Sequence, residues 1–435
     1  MVASRIQIVA IGHQDKHLTG NPQISFFKAV YKRHTNFFSH KKKIKFDIAP
    51  DFGTKGTVKL SHYGDLLYDM AVVFDLPQLT TGGSTTTNIS YTNAIGHTII
   101  KNISFKLGGR TIDSYSGEWL HIWKELTTNK SDKEIYDYLI GQSIISRHKE
   151  RIDDTSYTTT DFVRLNNTKY TLYENYNGNL STDNYGHLIV TPLKFWFCQQ
   201  RHKAIPICAL KHHNIDIDLE LRPFSECYTT SGTADSKNVT DVYLLADYIF
   251  LDDDEKRKFI NKEHKYLISQ IQMNEFSISA STTSQNMLLN FHNPIKELVW
   301  VVQLDSMSTD NEWTNFSNNT LISEFQRETY KPITKAKIQF DGKDRTENLE
   351  EIFYRKYEVL RKHSGNPESF IYVYPFALEP ENFKQPTGTC NFSRLHSAHL
   401  NLTFNSIGAS KVRVYAISYN ILIIKDGMGG ILYQN

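Results

Sequence analysis

Residues 103–113 read ISFKLGGRTID, and residues 338–347 read IQFDGKDRTE. Each stretch combines a strand-like run, a turn that contains glycine and an Arg-Thr pair, and each is followed by a segment with a helical apolar stripe. Two more pairs of stretches match in the same order: residues 208–221 with 390–404, and residues 242–252 with 414–424. Three matching blocks in one order predict a tandem duplication whose boundary lies near residues 252–264.

Short apolar or alternating runs, bounded by Gly, Asn, Asp and Pro, dominate both halves of the chain and predict β-strands. The predicted strands are residues 57–62, 70–75, 99–107, 193–198, 215–221, 242–251, 266–273, 286–291, 298–304, 336–340, 370–374, 399–404 and 412–424. Helical patterns are few. The spacing therefore predicts an all-β chain of two tandem eight-stranded jelly-roll β-sandwiches, with short helices in the loops.

The domain organisation follows from this repeat. The predicted parts are an N-terminal arm at residues 1–26, a first jelly roll at 27–252, a linker helix at 253–264 and a second jelly roll at 265–435. Residues 128–190 are polar with weak apolar periodicity, which predicts a long loop excursion from the first sandwich. Other predicted features are helices at residues 117–127, 252–261 and 349–360, and exposed loop tips at residues 80–88 and 306–319.

The composition agrees with a β-rich, multi-domain chain. With 435 residues, the chain is longer than a single hydrophobic core usually supports. Aromatic residues make up 12% of it, and they favour the pleated, half-buried surfaces of β-sheets. The net charge of +2 gives no global field for nucleic acid or membrane. Four cysteines in a chain of this length do not form a disulfide framework, and they predict reduced thiols.

Residues 1–60 are basic, with eleven Lys or Arg against three acids. The densest part is the run Lys41, Lys42, Lys43 and Lys45. One interpretation is a segment that contacts an acidic partner, such as nucleic acid or anionic lipid. The other is an exposed strand edge, where lysine blocks unwanted strand pairing. The sequence leaves both open.

The strongest candidate for a metal site is the spacing Cys198-x3-His202-x5-Cys208-x3-His212. Two Cys and two His are the ligand types of tetrahedral zinc. Because Cys198 falls in a predicted strand and the second half repeats only one Cys, buried thiols and surface histidines are favoured instead. The acidic residues 252–255 are favoured as a helix start, which the helix dipole explains without a metal.

No phosphate-binding GxxxxGK[ST] loop, GxSxG elbow or HExxH motif occurs in the chain. The sequence therefore predicts no catalytic residue, no cofactor and no metal. Two other classes stay open beside a structural protein. One is a carbohydrate-binding or receptor-binding β-sandwich, and the other is a jelly-roll metal enzyme of the cupin kind, which needs convergent His and carboxylate ligands.

Several motifs along the chain carry a resemblance to a known family. They are QD at 14–15, LTGNP at 18–22, ISFFK at 24–28, VYKRHTNF at 30–37, DYIFLD at 247–252, GTCNFSR at 388–394, the closing strand from Tyr415 to Asn420, and GMGG at 427–430. This set, in this order, resembles the major capsid proteins of nucleocytoplasmic large DNA viruses. Lys32 and Ser39 depart from the residues more usual in that family.

The resemblance implies a non-enzymatic shell protein with a double jelly-roll fold. It further implies a homotrimer of pseudo-hexagonal outline, whose capsomers tile an icosahedral virion assembled in the host cytoplasm. The implied partners are neighbouring capsomers, minor capsid and penton proteins, and an internal membrane at the inner face, with no sequence-specific nucleic acid. The run Lys41–Lys45 would then be an inner basic segment.

The N-terminal motif has a physical interpretation as well. Asn21-Pro22 favours a turn or extended backbone. The apolar residues that follow could pack beneath a neighbouring sandwich as an assembly arm, or they could join the core of their own domain. The residues assigned to the arm are Leu18, Thr19, Gly20, Asn21, Pro22, Phe26, Phe27 and Tyr31.

Overall fold

The computed structural model describes residues 12–29, 31–60, 62–80, 89–142, 187–230, 234–318 and 330–433. The chain falls into two compact units, Met1–Phe37 and Phe38–Asn435. The regular element of the described part of the first unit is a short helix, α1 (Lys16–Thr19). No helix in the described ranges is long and apolar enough to cross a membrane.

The described residues of the first half of the chain form eleven strands. They are β1 (Phe37–Lys45), β2 (Lys55–Leu60), β3 (Leu66–Leu76), β4 (Ile89–Tyr91), β5 (Ile100–Leu107), β6 (Arg110–Tyr115), β7 (His187–Pro192), β8 (Ile205–Pro206), β9 (Ile215–Leu221), β10 (Tyr228–Thr230) and β11 (Asp241–Leu251). One sheet has the order β1-β11-β3-β7, with β8 also paired to β3, and the facing sheet has the order β2-β9-β5-β6. The short strands β4 and β10 pair with each other.

In the second half, eleven more strands lie within the ranges that the structure describes. They are β12 (His264–Ile278), β13 (Ser284–Leu288), β14 (Pro294–Leu304), β15 (Ile333–Phe340), β16 (Lys343–Asp344), β17 (Leu349–Glu350), β18 (Tyr372–Pro375), β19 (Cys390–Asn391), β20 (Ala398–Phe404), β21 (Ser410–Lys425) and β22 (Met428–Ile431). One sheet has the order β12-β21-β14-β18, and the other has the order β13-β20-β15-β16. Strands β17, β19 and β22 extend these sheets by pairing with β15, β14 and β21.

The two halves share one topology. If the eight principal strands of each half are counted along the chain, both halves place them as 1-8-3-6 in one sheet and 2-7-4-5 in the other. This is the strand order of a jelly roll, so the predicted all-β double jelly roll is confirmed. The three repeated sequence blocks occupy equivalent places: strands four and five, strand seven, and strand eight.

Short helices occupy the loops. They are α2 (Ile95–Thr98), α3 (Gly117–Thr127), α4 (Lys130–Leu139), α5 (Trp196–Gln199), α6 (Asp253–Asn261), α7 (Asp305–Thr309) and α8 (Glu358–Lys362), which continues a π-helical turn at Phe353–Tyr357. Single 3-10 turns lie at Arg201–Lys203, Ile207–Ala209, Phe224–Glu226 and Phe392–Arg394. The carboxylate of Asp252 accepts a hydrogen bond from the Glu255 N–H and caps α6. This capping contact agrees with the interpretation of residues 252–255 as a helix start.

Several local predictions are wrong. Residues 193–198 are not a strand, because Trp196–Gln199 form α5 and the Cys198 N–H donates to the nearby backbone oxygen of Phe195. The excursion predicted at residues 128–190 contains α4 at its start and β7 at its end. Residues 143–186 lie outside the described ranges, as do 81–88. The predicted helix at residues 349–360 starts later, because residues 349–350 pair with β15 as β17.

Aromatic side chains fill both sandwiches. In the first, the Phe105 ring lies 5.0 Å from Trp196 and 5.3 Å from Phe197. In the second, Trp300 stacks on Tyr372 and meets Tyr354 edge-on, with ring centres 6.0 and 5.2 Å apart. Such ring pairs add to the stabilisation from buried apolar area.

Candidate assembly surfaces

The N-terminal motif forms α1 and a sharp exit from it. The Thr19 hydroxyl donates to the backbone oxygen of Asp15, and the Gly20 N–H donates to that of Lys16. Asn21 then takes a left-handed backbone with φ of 51°, which asparagine tolerates better than most residues, and Pro22 follows it. The motif therefore encodes a one-turn helix that stops abruptly and continues without regular structure.

The apolar side chains assigned to the arm are solvent-exposed. Their exposed fractions are 90% for Leu18, 91% for Phe26, 99% for Phe27 and 85% for Tyr31. Large aromatic side chains are seldom left this open unless a partner covers them. The assignment of these residues to an assembly arm stays a prediction.

The basic run lies on β1, at one end of the sheet order β1-β11-β3-β7. Two of its ammonium groups meet carboxylates of the neighbouring strand β11. The Nζ atom of Lys41 is 3.5 Å from Asp247, and that of Lys43 is 3.1 Å from Asp241. Half of the run's charge is therefore compensated within the sheet, which favours the strand-edge interpretation over an acidic partner.

The other two lysines of the run differ from these. The ammonium of Lys42 lies 3.6 Å from the ring centre of Tyr63, in a cation–π contact. Lys45 is exposed at the end of the strand. A set of exposed lysines along an edge strand disfavours pairing with the edge of another chain.

The four residues of the candidate zinc spacing do not form a metal site. Cys198 lies in α5, and burial raises the pKa of its thiol. His202 lies in an exposed 3-10 turn, whereas the backbone N–H of His212 bonds the oxygen of Gly427. Burial also raises the pKa of Cys208 to about 11. Within the described ranges, no three His, Cys, Asp or Glu side chains are placed to hold a metal ion.

Sequence reasoning missed the contacts that join the two jelly rolls. Glu118 in α3 of the first sandwich forms an ion pair with Arg413 of β21 and accepts a hydrogen bond of 2.7 Å from the Tyr415 hydroxyl. Arg413 also donates to Glu275 at 2.8 Å and to Gln303 at 3.0 Å. These partners raise the pKa of Arg413 despite its burial. This charged network crosses from one sandwich to the other.

A second connection lies at the end of α3. The Gly365 N–H donates to the Leu126 oxygen at 2.7 Å, and the Ser364 hydroxyl donates to the Thr127 oxygen at 2.9 Å. A Cβ at Gly365 would lie 2.4 Å from the backbone oxygens of Glu125 and Leu126. Only glycine allows this approach.

The Gly365→Ala substitution should therefore lower the free energy of unfolding by about 1–3 kcal/mol, because the added methyl forces the two backbones apart. Urea denaturation measures it. The matched control is Gly430→Ala, since nothing lies within 4 Å of the Cβ position there. Equal stability of the two variants would contradict the close approach.

The segment predicted as a loop tip at residues 306–319 is in fact docked, which corrects that prediction. The Trp313 indole N–H donates to the Glu226 oxygen at 2.9 Å, and the Arg222 guanidinium lies 3.8 Å from the Trp313 ring centre. The Asn311 amide donates to the backbone oxygens of Ser225 and Tyr228. Asn311 and Trp313 are hydrogen-bonded to the first sandwich, and sequence alone cannot distinguish such residues from polar residues that face water.

A buried histidine lies beside this joint. The Nε2 atom of His363 is 2.5 Å from Glu297, and its Nδ1 atom is 2.9 Å from Glu381. The two carboxylates outweigh burial and raise the pKa of His363 to about 9. The same loop carries Ser364 and Gly365, so this triad fixes the segment that meets α3.

The His363 triad predicts a loss of stability at alkaline pH. Because the pKa of His363 is higher in the folded chain than in the unfolded chain, its protonation stabilises the fold. This stabilisation is complete below the pKa of the unfolded histidine, about 6.5, and it disappears as the pH rises through about 9. The expected loss is about 2 kcal/mol between pH 6.5 and 8. Denaturation titrations of His363→Gln should lack this loss, while the exposed control His292→Gln should keep it. The idea fails if His363→Gln and the unmodified chain lose stability in parallel.

Comparison with known proteins agrees with this architecture. A family model described as major capsid protein N-terminus matches residues 25–252, and one described as large eukaryotic DNA virus major capsid protein matches residues 255–430. The fold and these matches define a double jelly-roll capsid protein. The chain belongs to the family of large eukaryotic DNA virus major capsid proteins.

Relatives and solved structures match over nearly the whole chain. The major capsid protein of Phaeocystis pouchetii virus is 30% identical, with 100% of both chains covered. That of Pyramimonas orientalis virus is also 30% identical, with 99% of each covered. The VP54 structure of PBCV-1 matches with a TM-score of 0.73 and 24% identity, covering 94% of this chain and 100% of VP54. A Faustovirus major capsid protein matches with a TM-score of 0.69, 13% identity and coverage of 97% and 96%.

Proposed function

We propose that three copies of this chain form a pseudo-hexagonal capsomer, and that such capsomers tile the icosahedral shell of a large double-stranded DNA virus. The observation that carries the proposal is the repetition of one strand order twice within a single chain. Three chains with two similar sandwiches each present six similar sides, whereas three single sandwiches present only three. Family membership supports the shell role and a place in the virion.

The charged and backbone contacts between the sandwiches support the same role. A tile in a closed shell has to keep its outline, and relative domain motion is expected unless the interface between domains is extensive. Here ion pairs, aromatic contacts and a glycine approach join the two sandwiches. We therefore assign this chain a mechanical role without catalysis, in line with its capsid relatives. Assembly in the host cytoplasm belongs to the proposal.

The proposed domains are the arm at residues 1–26, the first jelly roll at 27–252, the linker at 253–264 and the second jelly roll at 265–435. The family matches at residues 25–252 and 255–430 support the division. Helix α6, within the linker, has no buried residue.

We propose that the arm contacts neighbouring subunits or minor capsid and penton proteins at the inner face, near an internal membrane, through its exposed apolar residues. The lysine run on β1 then serves mainly to block edge pairing. Two of its four charges are already paired with carboxylates of β11, which supports this role over one in binding an anionic partner.

The arm proposal predicts that deletion of residues 1–26 leaves folded trimers that assemble poorly into larger arrays. Substitution of Phe26 and Phe27 by Asp should have the same effect, because it removes the apolar contact surface. The matched control is Gln23→Asp with Ser25→Asp, which adds the same charge in the same segment and keeps both rings. Electron microscopy and light scattering measure assembly. If the deletion instead unfolds the first jelly roll, the segment belongs to that core and not to an arm.

A further inference from the structure

A shallow groove crosses the outer face of the sheet β13-β20-β15-β16. It has a volume of about 320 Å³ and is lined mainly by polar side chains from three adjacent strands. The register places Asn286 of β13 opposite Asn401 of β20, and Asn401 opposite Lys337 of β15. Ser284 and Thr403 form the next pair along the same face. The three strands thus present amide and hydroxyl groups side by side.

A hydrogen-bond network orients these amides. The Asn401 Nδ2 donates to Gln339 Oε1 at 2.8 Å, and the Gln339 Nε2 donates to Asp344 Oδ1 at 2.6 Å. The Gln339 amide is thereby fixed in one of its two possible orientations, since its oxygen and nitrogen have different partners, and the Asn401 amide is oriented by the hydrogen bond that its nitrogen donates. The Oδ1 atom of Asn401 is left to accept a hydrogen bond, and the exposed amide of Asn286 lies across from it.

The charge of the groove is balanced. Lys337 is its cation, and the ammonium lies 3.3 Å from the carboxylate of Asp344. A site for phosphate, sulfate or a sialic acid needs uncompensated positive charge, which this arrangement lacks. An anionic ligand is therefore disfavoured.

The lining is also unlike a protein seam. The centre of a stable protein interface is apolar and rich in aromatic residues, and none of the described residues that line this groove is aromatic. Pockets for drug-like molecules are mostly apolar as well. A neutral ligand that carries many hydroxyl groups matches fixed amides and hydroxyls, because each amide can donate and accept at once.

We propose that this groove binds a neutral glycan through hydrogen bonds to Asn286, Asn401, Gln339 and Thr403. Such a site would allow a shell subunit to bind carbohydrate that another surface displays. Glycan binding is a function in addition to the shell role. It is also measured separately from subunit assembly. A chain that assembles without binding glycans, or binds them without assembling, would refute one proposal and leave the other.

The test is an array of printed oligosaccharides probed with the full-length, assembled protein. The array holds neutral glycans of glucose, galactose, mannose, fucose and N-acetylglucosamine beside sialylated and sulfated ones. We expect retention by a subset of the neutral glycans. Asn401→Ala and Asn286→Ala should each weaken retention tenfold or more, and the matched control Asn261→Ala, at the exposed end of α6, should not.

Ser284→Trp provides a second variant, because Ser284 is exposed on the edge strand β13 and a bulky ring there would fill the groove without touching the core. Thermal melting checks that all variants fold. The proposal is overturned if no neutral glycan is retained, if anionic glycans are preferred, or if folded groove variants bind as the unmodified protein does. It is also overturned if the groove variants alter only subunit assembly, which would mark this face as a contact between copies.

Discussion

Replacing Arg413 with alanine should lower the free energy of unfolding by about 3–5 kcal/mol, because the substitution leaves buried charge without its partner. The guanidinium bridges Glu118 of the first sandwich and Glu275 of the second, and the Glu118 carboxylate is almost fully buried. Breaking one partner of such a pair is far more costly than the net stabilisation that the pair provides. Urea denaturation measures the loss, and we expect the two sandwiches to unfold less cooperatively in the variant.

The matched control is Arg257→Ala. Arg257 pairs with Asp254 at 3.6 Å on the surface of α6, where both side chains are mostly exposed. We expect a change within about 0.5 kcal/mol there. The double variant Glu118→Gln with Arg413→Met removes both charges and should recover much of the loss. Equal destabilisation by Arg413→Ala and Arg257→Ala would contradict a buried charged joint between the sandwiches.

The second large effect is a loss of stability in acid, caused by two buried histidines. His97 of α2 and His121 of α3 lie with ring centres 6.0 Å apart, and the Nδ1 atom of each is buried without a hydrogen-bond partner among the described residues. Burial lowers the pKa of His121 to about 3 and that of His97 well below its ordinary value. Both rings are therefore neutral in the folded chain at neutral pH.

Charged groups from the neighbouring elements surround this pair. Lys124 of α3 pairs with Glu125 of the same helix and with Asp137 of α4. Lys133 of α4 also pairs with Glu125, at 3.2 Å. Lys124 lowers the pKa of both histidines, Lys133 lowers that of His121, and Lys194 lowers that of His97.

The Glu125 carboxylate acts in the opposite direction, raising the pKa of both histidines, but burial prevails. The Tyr136 ring lies 5.8 Å from that of His97. Protonation of either histidine in the fold would place a new cation in this crowded, buried site.

The direction of the effect follows from linkage. Above about pH 6.5 both histidines are neutral in the folded and unfolded chain, so they add no pH dependence. Below that pH the unfolded chain binds protons that the fold excludes, and stability falls until the folded pKa of about 3 is reached. At pH 5 the expected loss is about 2 kcal/mol for each histidine.

The His121→Gln substitution should remove the part of the acid-induced loss of stability that His121 causes. The difference in unfolding free energy between this variant and the unmodified chain should therefore change between pH 7 and pH 5. This comparison matters because Asp113, whose pKa burial raises to about 7, contributes with the opposite sign. The control is His396→Gln, at an exposed position. Parallel pH curves for His121→Gln and the unmodified chain would show that the histidine is not the cause.

Much of the fold follows from sequence because jelly-roll strands repeat a local pattern. Residues 215–221 alternate Ile, Asp, Ile, Asp, Leu, Glu and Leu, and the sequence predicts the bounds of β9 correctly. The stripe at residues 117–127 likewise predicts α3 with its observed bounds. In both cases the period of burial is local to the segment.

What the sequence misses depends on contacts between distant residues. Strand β1 has no alternating apolar pattern, because the edge of the sheet is exposed and rich in lysine. The charged joint of Glu118 with Arg413 looks like two ordinary surface residues in the sequence. Gly365 is recognisable only when the backbone of α3 lies against it. A sequence motif marks the arm residues, and their role stays a prediction.

The most direct test of the proposed capsomer is the molar mass of the purified full-length chain in solution, by light scattering coupled to size exclusion. Two similar sandwiches per chain should give a stable species of three chains at concentrations well below those used for assembly. Particles imaged from the same sample should show a six-sided outline. A chain that stays monomeric under all conditions in which it is folded would contradict the capsomer.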